Sequence, residues 1–309
     1  MPCDLSIVIP TYKRTEWLQS LLNSLNKEMS NFEVIVVDDG SPDQIKKKEI
    51  ICKGQWTFPL QFICQNNMGP ATARNTGLKL AKADIIGFLD DDTVVEPQWT
   101  TRIIGSYYDN PMIAGVAGKT MSWKANTLSE KFLDHYQHLH RHQFNIDGTL
   151  DYVITANCSF RRNILREVGG FSPHFRFAAG DDIDLGYKIK ARGYQFAYSE
   201  KAIVLHRHRS TLFSMWHTWF TYGRGIAQCL NEHSEIQAKQ SFASKDVNVF
   251  KKLVRLFVKI NHEILLNIKN GEISLKEAVA FPLMGLVNDI CFHVGKQYQE
   301  YRLSKQKPK

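Results

Sequence analysis

Three aspartates in a row, Asp90-Asp91-Asp92, follow the apolar run Ile85–Leu89. Adjacent carboxylates repel one another unless a cation or hydrogen-bond donors compensate them. Hard oxygen ligands of this kind suit Mg²⁺ or Mn²⁺, ions that keep waters and bind phosphate oxygens as well. A solvated acidic turn has the same composition, but the run before it is of the buried-strand type, which favours the metal. A second acidic cluster, Gly180-Asp181-Asp182-Ile183-Asp184, opens a helical pattern. Acids in a first helical turn are stabilised by the macrodipole alone. A carboxylate there could equally act as a general base toward a hydroxyl. The residues by themselves leave both open.

Weaker signals surround these two. Asp38-Asp39-Gly40-Ser41 after Val34–Val37 is an ordinary turn composition, or an acid accepting from a nucleoside base or ribose. Gly69-Pro70-Ala71-Thr72-Ala73-Arg74-Asn75 opens a helix, and Arg74 could donate to phosphate or anchor the acids around it. His206 lies in Leu205-His206-Arg207-His208-Arg209, where a lone histidine is more often a surface residue than a ligand. His135, His138 and His142 have helical spacing that suggests zinc. No cysteine pair or H-E-x-x-H spacing supports that ion, so a polar loop or helix near an acceptor is expected.

The elements that must position these groups alternate. Leu5–Ile9, Val34–Val37 and Ile85–Leu89 are strand-length runs, and Trp17–Leu25 and Ala71–Leu80 between them have helical periodicity. That order predicts an α/β domain with a mainly parallel sheet flanked by helices. Ligands in such sheets bind beyond the carboxyl ends of the strands, so the polar clusters after the three runs should converge in one cleft. Further on, Asp151–Ala156 reads as a strand and Asn163–Val168 as a helix stopped by Gly169-Gly170. Asp182–Ala191 reads as a helix, with short strands near Gln195–Tyr198 and Ala202–Leu205. The polar stretch Ser234–Lys245 predicts a boundary. The expected organisation is a main domain over 1–232, halved at 122/123, and a basic helical extension over 233–309.

With 309 residues, 43% hydrophobic and 23% charged, the composition is that of a globular protein. The start of the chain has no cationic stretch leading into an apolar one, so no signal peptide is expected. No uninterrupted apolar run approaches the roughly 18 residues of a spanning helix, so none is expected. Six scattered cysteines without a C-x-x-C pair suit free thiols in a reducing cytoplasm. The net charge of +8 is concentrated at the end, where residues 250–309 hold eleven basic and five acidic side chains. No zinc-finger, recognition-helix or RNP pattern accompanies that charge, so no nucleic acid is expected. Instead Phe250, Leu253, Val254, Phe257, Ile260 and Ile264 face away from Lys251, Lys252, Arg255 and Lys259 on a helical period. That is either a packed surface helix or a peripheral contact with the inner face of a membrane.

Taken in order, several stretches resemble family 2 of the inverting glycosyltransferases, whose fold is the GT-A, or nucleotide-diphospho-sugar transferase, fold. They are SIVIPTYKR, EVIVVDDGSPD, GPATARNTG, IIGFLDDDT, ANCSFRRNILREVGGF, GDDIDLGYKIKARGYQFAYSE and AIVLH, with a further match at Tyr222-Gly223-Arg224-Gly225. The resemblance implies a nucleotide-sugar donor, a UDP-sugar being favoured, and a glycan or lipid-linked acceptor. It implies donor contacts from Pro10, Thr11, Tyr12, Arg14, Asp39, Gly69, Arg74, Asp90 and Asp91. Asp92 and His206 would hold Mn²⁺ or Mg²⁺, Asp181 would touch the acceptor, and Asp182 would be the catalytic base. Two positions depart from the family's pattern. Lys13 stands where asparagine is common, and Asp181 replaces the usual glutamate. The competing expectations are a sugar nucleotidyltransferase and a non-catalytic nucleotide-sugar-binding protein. The absence of a glycine-rich loop in PTYKR counts against the first, and the presence of both acidic clusters against the second.

Overall fold

The structure, a computed structural model, describes residues 3–108, 110–137, 139, 150–233, 271 and 273–305. The boundary expected within Ser234–Lys245 and the amphipathic stretch 250–264 lie outside the described residues. The chain divides into two compact units, Met1–Lys124 with Gln137–His208, and Ala125–Tyr136 with Arg209–Lys309. The expected division at 232/233 therefore falls inside the second unit.

The first unit is built on one eight-stranded sheet. Its strands are β1 (Leu5–Thr11), β2 (Phe32–Asp38), β3 (Leu60–Cys64), β4 (Ile85–Leu89), β5 (Thr93–Val95), β6 (Ile113–Ser122), β7 (Asn157–Arg161) and β8 (Gln195–His206). They lie in the order β3-β2-β1-β4-β7-β6-β8-β5. β1 pairs in parallel with both β2 and β4, and every residue of β1 and β2 is buried, as expected for strands covered on both faces. The chain runs outward from β1 through α1 (Thr15–Leu25), β2 and α2 (Gln44–Lys53) to β3. It then returns through α3 (Pro70–Leu80) to β4, on the other side of β1. This reversal of direction beside β1 is a topological switch point, and the crevice it opens lies at the carboxyl ends of β1 and β4. Pro10 fits this position because β1 pairs with β4 only as far as Val8, so its missing N–H removes no bond on that side.

Beyond β4 the sheet becomes mixed. β7 is antiparallel to both β4 and β6, while β6 and β8 run parallel. The strand expected at Asp151–Ala156 is instead Asn157–Arg161, because the latter segment is the one that finds a ladder partner on each side. The two strands expected around Gln195–Tyr198 and Ala202–Leu205 are one, β8, whose pairing with β6 shifts register between Gly118 and Lys119. Short helices α4 (Trp99–Gly105), α6 (Arg162–Glu167) and α7 (Asp181–Lys190) complete the unit.

The second unit contains α5 (Leu128–His135), α8 (Leu212–Glu232) and α9 (Leu275–Ser304). Capping boxes start α5, at Thr127 and Glu130, and α9, at Ser274 and Glu277. Phe132, Leu133, Met215, Ile273, Ala278, Phe281 and Met284 form its core. Glycines let α8 and α9 approach closely: a Cβ on Gly295 would lie 1.9 Å from the Phe220 carbonyl oxygen. The 30-residue α9 is long and apolar enough to cross a membrane, with a window of mean hydropathy 1.4. Pro282, Asn288 and Asp289 interrupt its apolar pattern, so it contains no unbroken apolar run of spanning length. One face of α9 stays exposed and apolar, through Leu275, Val279, Leu283, Ile290, Val294 and Tyr301.

In the first unit, Asn157 ties the mixed half of the sheet together. Its Nδ2 donates to the carbonyls of Lys119 (2.9 Å) and Ala202 (3.0 Å), and its Oδ1 accepts from the fully buried Trp99 indole (2.9 Å). Replacing Asn157 with leucine would orphan an indole N–H and two carbonyls, each buried group costing roughly 1–3 kcal/mol. Asn157→Leu is therefore expected to lower the unfolding midpoint by several degrees, measured by circular dichroism, and Asn157→Ala to do no better.

Candidate metal and nucleotide centre

β1 ends at Thr11, and the next residues turn sharply. Lys13 and Arg14 both adopt left-handed backbone conformations, φ 61° and 58°, which are unfavourable for side chains of their size. Three hydrogen bonds hold them there. The Lys13 amide donates to Ser41 Oγ (2.7 Å), and Arg14 Nη1 donates to Asp91 Oδ1 (3.0 Å) and Asp92 Oδ2 (2.7 Å). Thr11 Oγ1 donates to Asp91 Oδ2 (2.8 Å), so the end of β1 is fastened to the acids beyond β4. Tyr12 is 43% exposed and carries the Lys13 ammonium 5.1 Å from its ring centroid.

Ser41 is itself positioned from below. Lys47, on α2, is fully buried, and its Nζ donates to Asp38 Oδ2 (2.8 Å) and Ser41 Oγ (2.6 Å). Sequence reasoning missed Lys47, since a lysine within Lys46-Lys47-Lys48 reads as a solvated face; only its position on the helix betrays it. Asp39 is buried too, and both its carboxylate oxygens are engaged. They accept from Gln65 Nε2 (2.8 Å) and from the amides of Met68 (2.9 Å) and Gly69 (2.8 Å). Gly69 precedes Pro70 at the start of α3 with φ 91°, and a Cβ there would lie 2.6 Å from the Arg176 carbonyl oxygen. Glycine is thus required twice over, by conformation and by space. The structure accordingly brings Thr11, Arg14, Asp91 and Asp92 into direct contact, while Asp39 and Gly69 join each other.

Arg74 on α3 connects the two acidic clusters. Its Nη2 donates to Asp90 Oδ1 (3.0 Å) and its Nη1 to Asp181 Oδ2 (2.5 Å), with the guanidinium and Asp181 both buried. Burial works against the charge of Arg74, yet Asp181 and Asp90 outweigh it and hold its pKa above the usual value. Asp181, expected to face an acceptor, is therefore engaged by Arg74. Asp184 bonds Lys188 one turn along α7, at 2.7 Å. Asp182 is the half-buried member of the trio and accepts from the Ile183 amide (2.9 Å). Burial first, and the negative charge of Asp181 second, push its carboxyl up to about 7 against the opposing pull of Arg74.

At the end of β8, His206 Nε2 lies 3.2 Å from Asp92 Oδ1. Asp90, Asp92 and His206 each offer a ligand atom within 4.8 Å of the others. His206 Nδ1 is buried and has no hydrogen-bond partner among the described residues. Two hard carboxylates with one imidazole fit a divalent cation such as Mn²⁺ or Mg²⁺. Asp90, expected as a donor contact, thus joins Asp92 and His206 in the cluster. Asp91 points the other way, to Thr11 and Arg14. Burial raises its pKa to about 7, with Asp92 adding to the rise and Arg14 opposing it. His135 ends α5 in the second unit, against the rings of Tyr136 and Phe281, and His138 and His142 lie outside the described residues.

Comparison with known proteins agrees with this geometry. Residues 6–169 match the model of the family described as "Glycosyl transferase family 2". A pre-mycofactocin glycosyltransferase of Mycobacterium tuberculosis is 30% identical over 220 residues, covering 68% of this chain and 44% of the relative. A validoxylamine A glucosyltransferase of Streptomyces hygroscopicus is 27% identical over 229 residues, covering 64% and 54%. The chain thus spans about half the length of these curated relatives. Among solved structures, a mannosyltransferase from Pyrobaculum calidifontis, in complex with GDP-Man and Mn²⁺, superimposes with a TM-score of 0.64. That alignment covers 99% of this chain and 89% of the other at 16% identity, which establishes a shared fold.

The two acids at the start of α7 should titrate visibly. A carboxyl-carbon NMR titration is expected to give Asp182 a midpoint near neutrality. Asp181→Asn removes its negative neighbour and leaves Arg74 in place, so the midpoint should move down toward the ordinary carboxylate range. A midpoint that stays put or rises would contradict the electrostatics described.

Proposed function

Because this chain belongs to glycosyl transferase family 2, we propose that it is an inverting, metal-dependent glycosyltransferase moving a sugar from a nucleoside diphosphate to an acceptor hydroxyl. The observation that carries this reading is the pair of acidic clusters held by one buried arginine. Asp90 and Asp92 meet His206 on one side of Arg74, and Asp182 stands beside Arg74's other partner, Asp181. We favour a UDP-sugar as donor and a cell-surface glycan or lipid-linked molecule as acceptor.

The chemistry follows from what these groups can do. Asp90, Asp92 and His206 would hold a divalent cation, which would supply positive charge where negative charge grows on the departing diphosphate. The anomeric carbon takes on oxocarbenium character as that bond lengthens. Asp182, ionised above its raised pKa, accepts the proton of the attacking hydroxyl on the opposite face. A single displacement inverts the anomeric centre, so an α-linked donor gives a β-linked product. Arg74 keeps Asp181 and Asp90 from repelling each other and so sets the distance between the base and the leaving group.

We further propose peripheral contact with the inner face of a membrane. The feature that supports it is the exposed apolar face of α9 together with the positive excess of residues 250–309. Each basic residue near an anionic surface contributes roughly 1 kcal/mol at physiological salt. The protein should sediment with anionic liposomes more than with neutral ones, and Leu283→Glu with Ile290→Glu should abolish that difference. Equal, negligible sedimentation with both vesicle types would remove the membrane from this reading.

The catalytic proposal is tested by substitution at the base. Asparagine keeps the shape of Asp182 but cannot accept a proton. Asp182→Asn is expected to lower sugar transfer by about 10²–10⁴-fold. The affinity for a nucleoside diphosphate with Mn²⁺, measured calorimetrically, should barely change. Transfer at the wild-type rate in Asp182→Asn would show the base to be elsewhere.

A further inference from the structure

We propose that Arg207 is the residue by which this site tells a nucleoside diphosphate from a monophosphate, taking the terminal phosphate of the donor's leaving group. The inference rests on the glycosyltransferase reading above and adds to it a residue that reading does not use.

Three arginines lie at the site, and two have their charge answered by carboxylates. Arg14 donates to Asp91 and Asp92, and Arg74 to Asp90 and Asp181. Arg207 has no ion-pair partner among the described residues, and its Nε is buried there without a hydrogen bond. What holds it is aromatic. Its guanidinium carbon lies 5.0 Å from the ring centroid of Trp123 and 5.7 Å from that of Trp17. An aromatic ring attracts the cation without taking up its N–H donors, which stay available to an anion such as phosphate, a group that arginine can bind through two parallel bonds.

Its backbone fixes where that anion would be. The Arg207 amide donates to the carbonyl of Asp92 (2.9 Å), and the preceding residue is His206, of the metal cluster. The Trp123 amide donates to the His206 carbonyl (2.9 Å), and His208 bonds Ser122 Oγ at 2.8 Å. Both sides of Arg207 are therefore tied down, and so is one of its two indoles. The other indole, Trp17, also lies under the Arg14 guanidinium, at 5.3 Å. A cation without a counter-ion among the described residues, held beside a cluster suited to a phosphate-binding metal, costs electrostatic energy until an anion arrives. A leaving diphosphate supplies one more phosphate than a monophosphate does, and that additional charge is what Arg207 can answer.

The test is calorimetric titration of UDP, UMP, GDP and GMP in Mn²⁺ against the wild type, Arg207→Gln and Arg207→Lys. Mn²⁺ alone is titrated in parallel by electron paramagnetic resonance. The wild type should prefer one diphosphate over its monophosphate. Arg207→Gln should lose at least tenfold in diphosphate affinity while monophosphate and Mn²⁺ affinities hold, and Arg207→Lys, which keeps the charge without the planar fork, should fall between. Trp123→Leu, which removes the stacking surface, should shift in the same direction as Arg207→Gln. An unchanged ratio of diphosphate to monophosphate affinity in Arg207→Gln overturns the proposal, as does equal weakening of both ligands. If Arg207→Gln alters only the KM for acceptor, the anion belongs to the acceptor and the proposal is likewise wrong. Failure of the wild type to bind either diphosphate in Mn²⁺ would instead remove the glycosyltransferase reading and this inference with it.

Discussion

Five carboxylates crowd together just past the end of β4 and at the start of α7, and Arg74 is the cation that lets the two groups coexist. It lies buried with one nitrogen on Asp90 and another on Asp181. A buried charge is tolerated only when paired, and removing either side of such a pair is strongly destabilising. Much of the first unit serves this contact. α3 brings the arginine in, and its start is pinned where Asp39 accepts from the amides of Met68 and Gly69. The carboxylate at the start of α7 meets it with the favourable end of the helix dipole. The raised pKa of Asp182 is a by-product of the same arrangement, since Arg74 is nearer to Asp181 and answers that charge first.

A second arginine plays a parallel part at the end of β1. Arg14 offsets Asp91 and Asp92, at the expense of an unfavourable backbone at its own position. Beneath it the buried pair Lys47–Asp38 orients Ser41, which in turn receives the Lys13 amide. The loop after β1 is thus supported from both sides, by acids of β4's end and by a lysine of α2. Such over-determination is what strained backbones require in order to persist.

The long parallel strands were legible because full burial on two faces demands continuous apolar runs. Leu5–Ile9, Val34–Val37 and Ile85–Leu89 therefore coincide with β1, β2 and β4. The mixed half was less legible. Asp151–Ala156 has the composition of a strand, yet pairing chose Asn157–Arg161, whose first residue owes its place to hydrogen bonds with Trp99, Lys119 and Ala202. Nothing local announces partners so distant in sequence. At the site, residue types announced the acids but not their division of labour. That Asp90 turns toward Asp92 and His206 while Asp91 turns toward Thr11 depends on side-chain direction at the end of a strand, which a run of three identical letters conceals. Arg207 and Lys47 were unreadable for opposite reasons: one has no acidic partner among the described residues where one was natural, and the other has one where a solvated surface was natural.

The left-handed backbone at Lys13 bears on how this sequence could change over time. Asparagine, common at this position in the family the chain resembles, visits that conformation far more readily than lysine. The resting fold of this chain therefore carries a local expense that one substitution would relieve. A laboratory selection for thermal resistance would be drawn to this position early, whatever the effect on ligand preference. Lysine stands there instead, with its ammonium 5.1 Å from the centroid of the half-exposed Tyr12 ring, so the substitution would also remove that contact.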